Sequence, residues 1–443
     1  MVAKQGSSYN NILINAYWFG VSFMWNSLHP IVLPVLLLSF VREGAKNTAY
    51  GLLTFVGLLI AMVMTPIIGA ISDDTSHRLG RRRPWIIVGA CLCVLFLLVL
   101  AWAPLIWLIA VGYLLLQVAS NIAHGAAQGL IPDLVPTGER GAASGMKTLI
   151  DMMGILLAAI VMGILMDTGM PRIPLAMTTI ASILLITMGI TVVGVREAEL
   201  SPGHRANQDR TLATLATRLR QVFLVDWRHH KEYGRLLMAR FLVLLGSFLV
   251  QSFALYYLHD VVEVANPARA MGSMMAVIAI SITLVAYPAG VLSEHWGRRR
   301  LTLIACGMAA IGMVLLSVTR NMTGLLLLGG FVGVGMGTFA TVNWAWATDL
   351  VPQAEAAKYL GLSNLATAGS AATARLGGPI IDVVNHLVPN AGYTVIFVLA
   401  ALAALGGLWV TLHMSETGSA KISPAEALCA MQASLRLRWR SER

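Results

Sequence analysis

Long apolar stretches constrain this sequence more than any other feature. A helix needs about 20 mostly apolar residues to cross a bilayer, and twelve stretches of the chain meet that requirement. Backbone groups in lipid must bond within the protein, so such stretches fold as helices rather than as open strands. The sequence therefore predicts an all-α membrane protein with twelve transmembrane helices. They cover residues 12–40, 47–71, 85–102, 104–131, 143–166, 173–195, 236–259, 270–293, 301–318, 322–348, 362–385 and 391–413.

The composition agrees with lipid as the main solvent. Of the 443 residues, 57% are hydrophobic and 12% are charged, whereas about 25% is usual for soluble domains. The basic residues behind the net charge of +10 flank apolar stretches, which argues against nucleic acid as a partner. The four cysteines form no metal-ligand spacing, and we see no nucleotide-binding loop or nucleophile motif. We therefore expect no cofactor, no metal and no enzymatic activity.

The charged loops predict the orientation and the division of the chain. Most of the 31 Lys and Arg residues fall in loops on the same side as the N-terminus. The positive-inside rule then makes both termini cytoplasmic, in a plasma membrane that we take to be a bacterial inner membrane. We expect an N-terminal six-helix bundle (1–195), a cytoplasmic linker with an amphipathic helix (196–235), a C-terminal six-helix bundle (236–413) and a basic cytoplasmic tail (414–443).

Two short strings occur in both halves of the chain. The string Asp-Leu-Val-Pro at 133–136 recurs at 349–352, and GAISDDTSHRLGRRR (69–83) recurs in shortened form as GVLSEHWGRRR (290–300). Their shared order indicates a duplicated six-helix unit. Six plus six spans around a long central loop is the arrangement of the major facilitator fold, with two pseudo-symmetric bundles and a site between them.

The first repeated loop carries charges of both signs at the predicted cytoplasmic mouth. Its carboxylates can pair with the arginines, with lipid phosphates, or with the positive N-terminal end of a helix from the other half. We expect a gating role, with simple positive-inside anchoring as the alternative. The predicted gating residues are Asp73, Asp74, Arg81, Arg82, Arg83, Glu294 and Arg298.

Several motifs carry a family resemblance. The loop at 69–83 resembles the major facilitator signature between spans two and three, and its ending RLGRRRPW is similar to plant sucrose transporters and their animal and bacterial relatives. The wider kin are the glycoside–pentoside–hexuronide cation symporters. GVSFMW (20–25) in span one and LLQVASNIAHGAAQGLIPDL in span four resemble the same group. The resemblance implies sugar transport by alternating access.

The coupling residues depart from that family's pattern. Gln117 stands where the family has a span-four Asp associated with proton coupling, and Gln128 stands where it has an Arg. Ionisable groups at membrane depth are functional candidates by default. We therefore predict proton coupling through Asp151 or His124, and keep an uncoupled facilitator as the alternative. Lys147 lies one helical turn from Asp151, so a structural salt bridge is the alternative for that pair.

The predicted substrate residues combine indole rings with hydrogen-bonding side chains inside the spans. Tryptophans also mark membrane interfaces, and Arg375 shares a helix face with Asp382, so a structural salt bridge is the alternative for that pair. The predicted substrate-binding residues are Trp25, Asn26, Asn121, His124, Gln128, Asn343, Trp344 and Arg375.

The sequence thus favours a monomeric secondary active transporter that moves a sugar or glycoside by alternating access with protons. Its expected partners are this small molecule, protons and membrane lipid. Drug or metabolite efflux is one alternative, although span five, LIDMMGILLAAIVMG, lacks the Gly-rich GP motif of many drug antiporters. A non-transporting membrane assembly factor on the same fold is the other.

Overall fold

The computed structural model describes residues 7–73, 75, 77–136, 139–166, 172–195, 197, 230–351 and 356–415. Asp74, the amphipathic part of the predicted linker and the tail beyond residue 415 lie outside these residues.

Helices account for almost all of the described chain, which confirms the all-α prediction. Eleven of them, some with short continuations, are long and apolar enough to span a membrane. The fifteen described α-helices are α1 (Ser7–Ser27), α2 (Leu33–Leu38), α3 (Lys46–Asp73), α4 (Arg83–Ala101), α5 (Ile106–Ala127), α6 (Leu130–Leu134), α7 (Arg140–Leu165), α8 (Ile173–Gly194), α9 (Lys231–Asp260), α10 (Pro267–Trp296), α11 (Arg298–Val318), α12 (Met322–Leu350), α13 (Ala356–Arg375), α14 (Gly377–Leu387) and α15 (Ala391–Leu412). The eleven spans include all of them except α13 and α14.

The span predicted at 362–385 is made of two helices. α13 ends at Arg375 and α14 begins at Gly377, with Leu376 still near the right-handed helical region between them. The sequence Gly377-Gly378-Pro379 explains this break, because Pro379 has no N–H to donate and the glycines weaken the helix.

The first span changes its hydrogen-bond register halfway along. A π-helical turn, Leu28–Val32, separates α1 from α2, and the Leu33 N–H donates to the Leu28 carbonyl. In that register the next donor, to the His29 carbonyl, would be residue 34, which is proline and has no N–H. The Tyr50 hydroxyl donates to this free carbonyl instead, at 2.8 Å. The π turn thereby ties the first span to α3.

The two halves pack their helices in the same way. In the N-terminal half α1 contacts α7 and α8, while α5 contacts α3 and α4. In the C-terminal half α9 contacts α13 and α15, while α12 contacts α10 and α11. This repetition confirms the two pseudo-symmetric six-helix bundles.

The bundles contact each other mainly through α3 against α13 and α14, and through α7 against α10. Glycines let the backbones approach closely there. A Cβ added at Gly378 would lie 2.1 Å from the Asn47 carbonyl oxygen, and one at Gly272 would lie 2.4 Å from the Ala159 carbonyl oxygen. These contacts involve the first turn of α3 and the second turn of α10, at the end of the molecule that we call the Asp260 end. The opposite end, with Asp73 and Arg82, is called the Arg82 end.

The contact at Gly378 yields a prediction. Gly378→Ala should force α14 away from α3 at a cost of about 1–3 kcal/mol, because the clash is with backbone. Spin labels at the exposed positions Glu43 and Leu387, one in each half, should then show a longer distance. Gly145→Ala is the control, since nothing lies within 4 Å of a Cβ there. An unchanged Glu43–Leu387 distance in Gly378→Ala would contradict the close packing.

Candidate functional site

Charged groups join the two halves at the Asp260 end. Lys46 Nζ at the start of α3 donates to Asp260 Oδ1 at the end of α9, over 2.6 Å, and the two side chains are only 4% and 14% exposed. The Tyr393 hydroxyl donates to the second oxygen of Asp260 at 2.5 Å. His259 Nδ1 also lies 2.6 Å from Asp260 Oδ1. This end is therefore closed by a buried ion pair with additional hydrogen bonds.

Asp382 of α14 caps the first turn of α3 from the other half. Its Oδ2 accepts from the Thr48 backbone N–H at 2.6 Å, and its Oδ1 accepts from Asn47 Nδ2 at 2.8 Å. The first N–H groups of a helix have no partners within it and carry a partial positive charge, so a carboxylate is favourable there. Asp382 makes these bonds rather than the considered salt bridge with Arg375.

Beneath the closed end, an aromatic and polar cluster lies on the N-terminal half. The Tyr113 hydroxyl lies 2.9 Å from His29 Nε2 and accepts from Gln117 Nε2 at 2.7 Å. The Trp25 ring stacks on the His29 ring at 4.7 Å, and Trp25 Nε1 donates to Ser120 Oγ at 3.2 Å. We call these five residues the His29 cluster.

Arg375 brings the C-terminal half to this cluster. Its Nη1 donates to the Tyr50 hydroxyl at 2.8 Å, and Tyr50 in turn donates to the His29 carbonyl. Asn121 lies one turn beyond Gln117 on α5, where it accepts from Thr65 Oγ1 at 2.7 Å. Among the predicted substrate residues, Trp25 and Arg375 thus reach one connected network, while Asn121 bonds α5 to α3.

The two predicted coupling residues share a second cluster. Lys147 Nζ donates to Asp151 Oδ2 at 2.8 Å and lies 3.9 Å from the centroid of the Trp18 ring. The Trp18 ring also contacts the His124 ring, edge-on, with 4.8 Å between the ring centroids. His124 Nε2 lies 2.9 Å from Gln128 Nε2. We call these five residues the Asp151 cluster.

The predicted Asn26 lies beside that cluster on α1. Its Nδ2 donates to the Ser22 carbonyl at 2.8 Å, and Ser22 Oγ donates to the Asp151 carbonyl at 2.8 Å. The Ser22 bond joins α1 to α7 next to the Lys147–Asp151 pair, while the Asn26 bond lies within α1.

A third polar group lies inside the C-terminal half. Arg240 of α9 donates from Nε to Thr367 Oγ1 at 3.0 Å and from Nη1 to Asn343 Oδ1 at 2.9 Å. Its guanidinium carbon lies 5.7 Å from the centroid of the Trp344 ring. The predicted span-ten residues Asn343 and Trp344 therefore lie at one place. The charged side chain that they contact is Arg240 and not the predicted Arg375.

At the Arg82 end, Arg82 organises the charges of the N-terminal half. Its Nε donates to Asp133 Oδ2 at 2.9 Å, its Nη1 donates to Ser72 Oγ, and its Nη2 pairs with Asp73. Arg81 pairs with Asp133 as well. The Arg82 guanidinium, just before α4, thus joins α3 to α6, and its partner on α6 is the Asp133 carboxylate of the repeated Asp-Leu-Val-Pro string.

The C-terminal half repeats this arrangement with a shift of register. Arg298 donates from Nε to Asp349 Oδ2 at 3.1 Å and from Nη1 to Ser293 Oγ. Arg298 therefore occupies the position of Arg82, although the strings align it with Arg81, because the loop before α11 is shorter. The predicted gating residue Glu294 is exposed and forms no ion pair with a described residue.

The remaining predicted arginine, Arg83, is held through its backbone. Glu197, just after α8, accepts from the backbone N–H groups of Arg81, Arg82 and Arg83 at 2.7, 2.9 and 3.0 Å. Gly80 has φ of 102°, and a Cβ there would lie 2.7 Å from Glu197 Cβ. Only glycine fits this turn without strain, so Glu197 fixes the loop that presents the arginines.

Sequence reasoning left several of these residues out of the site. Tyr50 and Tyr113 look like ordinary aromatic core residues along their helices. His29 and Arg240 stand out as ionisable groups inside spans, which is the signal that could have found them. Asp133 could have been recognised from its repetition at Asp349.

Comparison with known sequences agrees with this architecture. The sequence profile of the Major Facilitator Superfamily matches residues 13–374 and 236–441. The chain belongs to this superfamily. It is accordingly a multi-pass membrane protein of a transporter family that takes small-molecule substrates.

Similar members of the superfamily transport different substrates, to judge from their names. The tetracycline resistance protein, class H, of Pasteurella multocida is 23% identical over 65% of this chain and 68% of its own length. The human proton-associated sugar transporter A is 34% identical over a segment that covers 19% of this chain and 11% of that protein. The lactose permease of Lactobacillus helveticus is 23% identical over 66% of this chain and 48% of its own.

Solved structures share the fold. The structure of a D-xylose-proton symporter superposes with a TM-score of 0.66 at 19% identity, covering 90% of this chain and 97% of that one. A bacterial homolog of the human lysosomal transporter Spinster superposes with a TM-score of 0.72 at 14% identity, covering 94% and 98%. These likenesses confirm the major facilitator fold.

The cap on α3 yields a prediction. Asp382→Asn keeps the size of the side chain but removes the negative charge at the α3 N-terminus. The closed Asp260 end should lose about 1–2 kcal/mol, and the Glu43–Leu387 spin-label distance should shift to longer values. Glu263→Gln is the control, because Glu263 is an exposed carboxylate at the same end. Equal distance distributions in both variants would refute the role of the Asp382 charge.

Proposed function

We propose that this protein is a secondary active transporter that moves a sugar or glycoside by alternating access. The His29 cluster is the observation that carries the proposal. It combines the apolar faces of Trp25 and Tyr113 with hydrogen-bonding groups of Gln117 and His29, and it adjoins Arg375 of the other half. Small-molecule sites have such mixed linings, and sites in this architecture lie between the repeats.

The distribution of Lys and Arg residues between the loops assigns a side of the membrane to each end of the molecule. With the Arg82 end in the cytoplasm, the Lys46–Asp260 and Asp382–α3 contacts shut the outer side, so the protein is in an inward-facing state. The charges of the Arg82 end then bond within their own halves, as Arg82 does with Asp73 and Asp133. On closure of this end, Asp73 would become available to the other half, which is the gating role that the sequence suggested.

Proton coupling through the Asp151 cluster completes the proposal. Protonation of Asp151 would remove its charge and release Lys147, which is held only 3.9 Å from the Trp18 ring. Trp18 also contacts His124, so a change at either titratable group reaches α1, α5 and α7. Of these three helices, α7 contacts α10 of the other half, so a change in the Asp151 cluster can reach the contact between the halves.

Proteoliposomes test this function. Purified protein should take up members of a panel of hexoses, disaccharides and aryl glucosides, and sugar addition should make the outside medium alkaline. Asp151→Asn should abolish the pH change while leaving sugar counterflow, because exchange of bound substrate needs no titration. Glu43→Gln, which alters an exposed carboxylate, should behave as wild type. Sugar uptake without any pH change would indicate an uncoupled facilitator, and no uptake of any sugar would overturn the sugar assignment.

Drug efflux is the second candidate. The tetracycline resistance protein aligns with 65% of the chain, about as much as the lactose permease at 66% and more than the proton-associated sugar transporter A at 19%. Energised inside-out vesicles that accumulate tetracycline but exchange no sugar would favour this candidate.

A further inference from the structure

Two guanidinium groups inside the C-terminal half have no carboxylate partner. In the N-terminal half, Lys147 is balanced by Asp151. Arg240 and Arg375 form no ion pair with any residue in the described part of the chain. An unbalanced charge at membrane depth is strongly destabilising. A cation that is kept there without a counter-charge needs a reason.

The neutral partners of Arg240 orient its guanidinium but accept from only two of its three nitrogens. A guanidinium has five N–H donors in a rigid planar fork. Thr367 accepts from Nε, and Asn343 accepts from Nη1, at 3.0 and 2.9 Å. Nη2 has no partner among the described residues. Three helices, α9, α12 and α13, therefore hold the guanidinium while one edge of its fork stays free.

Asn343 adds a second unused donor next to this edge. Its side chain is 0% exposed, its Oδ1 accepts from Arg240, and its Nδ2 has no hydrogen-bond partner. A buried amide N–H without a partner destabilises the fold, because it has lost its hydrogen bond to water. Trp344, 39% exposed, lies against the same guanidinium and provides an apolar face beside the donors.

Arg375, closer to the Asp260 end, also lacks a counter-charge and has a donor without a partner. It is only 9% exposed, its Nε is buried without a partner, and its bond to Tyr50 is to a neutral hydroxyl. The C-terminal half thus presents an excess of positive charge and of unused N–H donors.

We infer that Arg240, with Asn343, binds an oxyanionic group of the transported molecule, a carboxylate or a phosphate. This inference rests on the proposed function and narrows it: the substrate is an acidic sugar or glycoside rather than a neutral one. Carboxylates and phosphates accept two parallel N–H bonds from the edge of a guanidinium. Binding them would satisfy Arg240 and Asn343 together and supply the missing counter-charge. Trp344 would contact the apolar face of the sugar ring.

The competing explanation is a structural cation that is solvated by the Asn343 and Thr367 oxygens. The stability of the ligand-free protein separates the two. If Arg240 is an anion-binding residue, Arg240→Gln removes an unbalanced charge from the ligand-free protein. The melting temperature of the variant should then equal or exceed that of the wild type. Arg82→Gln is the reference for a structural arginine, since it removes the ion-pair partner of Asp73 and one of the two arginine partners of Asp133, and its melting temperature should fall. A fall in Arg240→Gln as large as that in Arg82→Gln would overturn the inference.

Binding to matched probes tests the ligand class. The pairs are 4-nitrophenyl β-glucoside against 4-nitrophenyl β-glucuronide, and glucose against glucose 6-phosphate, each measured by equilibrium binding to the purified full chain. At least one charged member should bind about tenfold more tightly than its neutral partner, a difference of about 1.4 kcal/mol. The two pairs distinguish a carboxylate from a phosphate. The preference should vanish in Arg240→Gln and persist in part in Arg240→Lys, which keeps the charge but loses the fork.

Arg320→Gln is the control for the loss of a positive charge. Arg320 bonds to the Tyr257 hydroxyl at 2.6 Å, away from the Arg240 site, so its replacement should leave the preference unchanged. Neutral sugars that bind as tightly as their charged partners would overturn the anionic substrate while the proposed sugar transport stands. Benzoate that binds through Arg240 when no sugar binds would support the anion site but overturn the sugar. Absence of binding by every charged probe would count against the Arg240 assignment.

Discussion

The carboxylate of Asp382 at the first turn of α3 is the contact on which the arrangement of the two halves depends. It is buried, it comes from the opposite half, and it accepts from the Thr48 backbone N–H, which has no partner within α3, and from the Asn47 side chain. The neighbouring Lys46–Asp260 pair adds a second charge contact at the same end. Because both interactions join groups of different halves, they exist only while this end is shut. The same chemistry therefore sets the conformation and determines from which side the central clusters can be reached.

The scarcity of water at membrane depth explains much of the remaining structure. Polar groups there bond to one another, and each such bond ties two helices together. The His29 carbonyl, which Pro34 leaves without a donor, accepts from the Tyr50 hydroxyl, and that hydroxyl accepts from Arg375. A defect in the first span thereby becomes a link between the halves. Where such bonds are incomplete, as at Arg240 and Asn343, the unused donors identify a place for a ligand.

The duplicated unit is preserved more faithfully in structure than in sequence. Arg82 with Ser72 and Asp133, and Arg298 with Ser293 and Asp349, connect corresponding helices by the same bonds. The two arginines do not align in the repeated strings. In the second half the helix begins at the first arginine of the string, whereas in the first half it begins at the third, a shift of two residues. The role therefore falls to the arginine whose guanidinium reaches the Asp-Leu-Val-Pro carboxylate, and not to the one that the strings align.

The sequence by itself determined that the chain is a twelve-span, duplicated, all-α membrane protein of the major facilitator type. Apolar length and repeated strings are local features that lipid and chain duplication convert directly into helices and bundles. It also singled out Asp151, His124 and Arg375 as costly groups inside spans. Only the tertiary structure decided their partners. Asp382 lies seven residues from Arg375 on the chain but bonds to α3, because the break at Leu376 and the packing at Gly378 bring the other half within reach. Contacts between helices that are far apart in sequence depend on how the bundles dock, and helical spacing carries no information about docking.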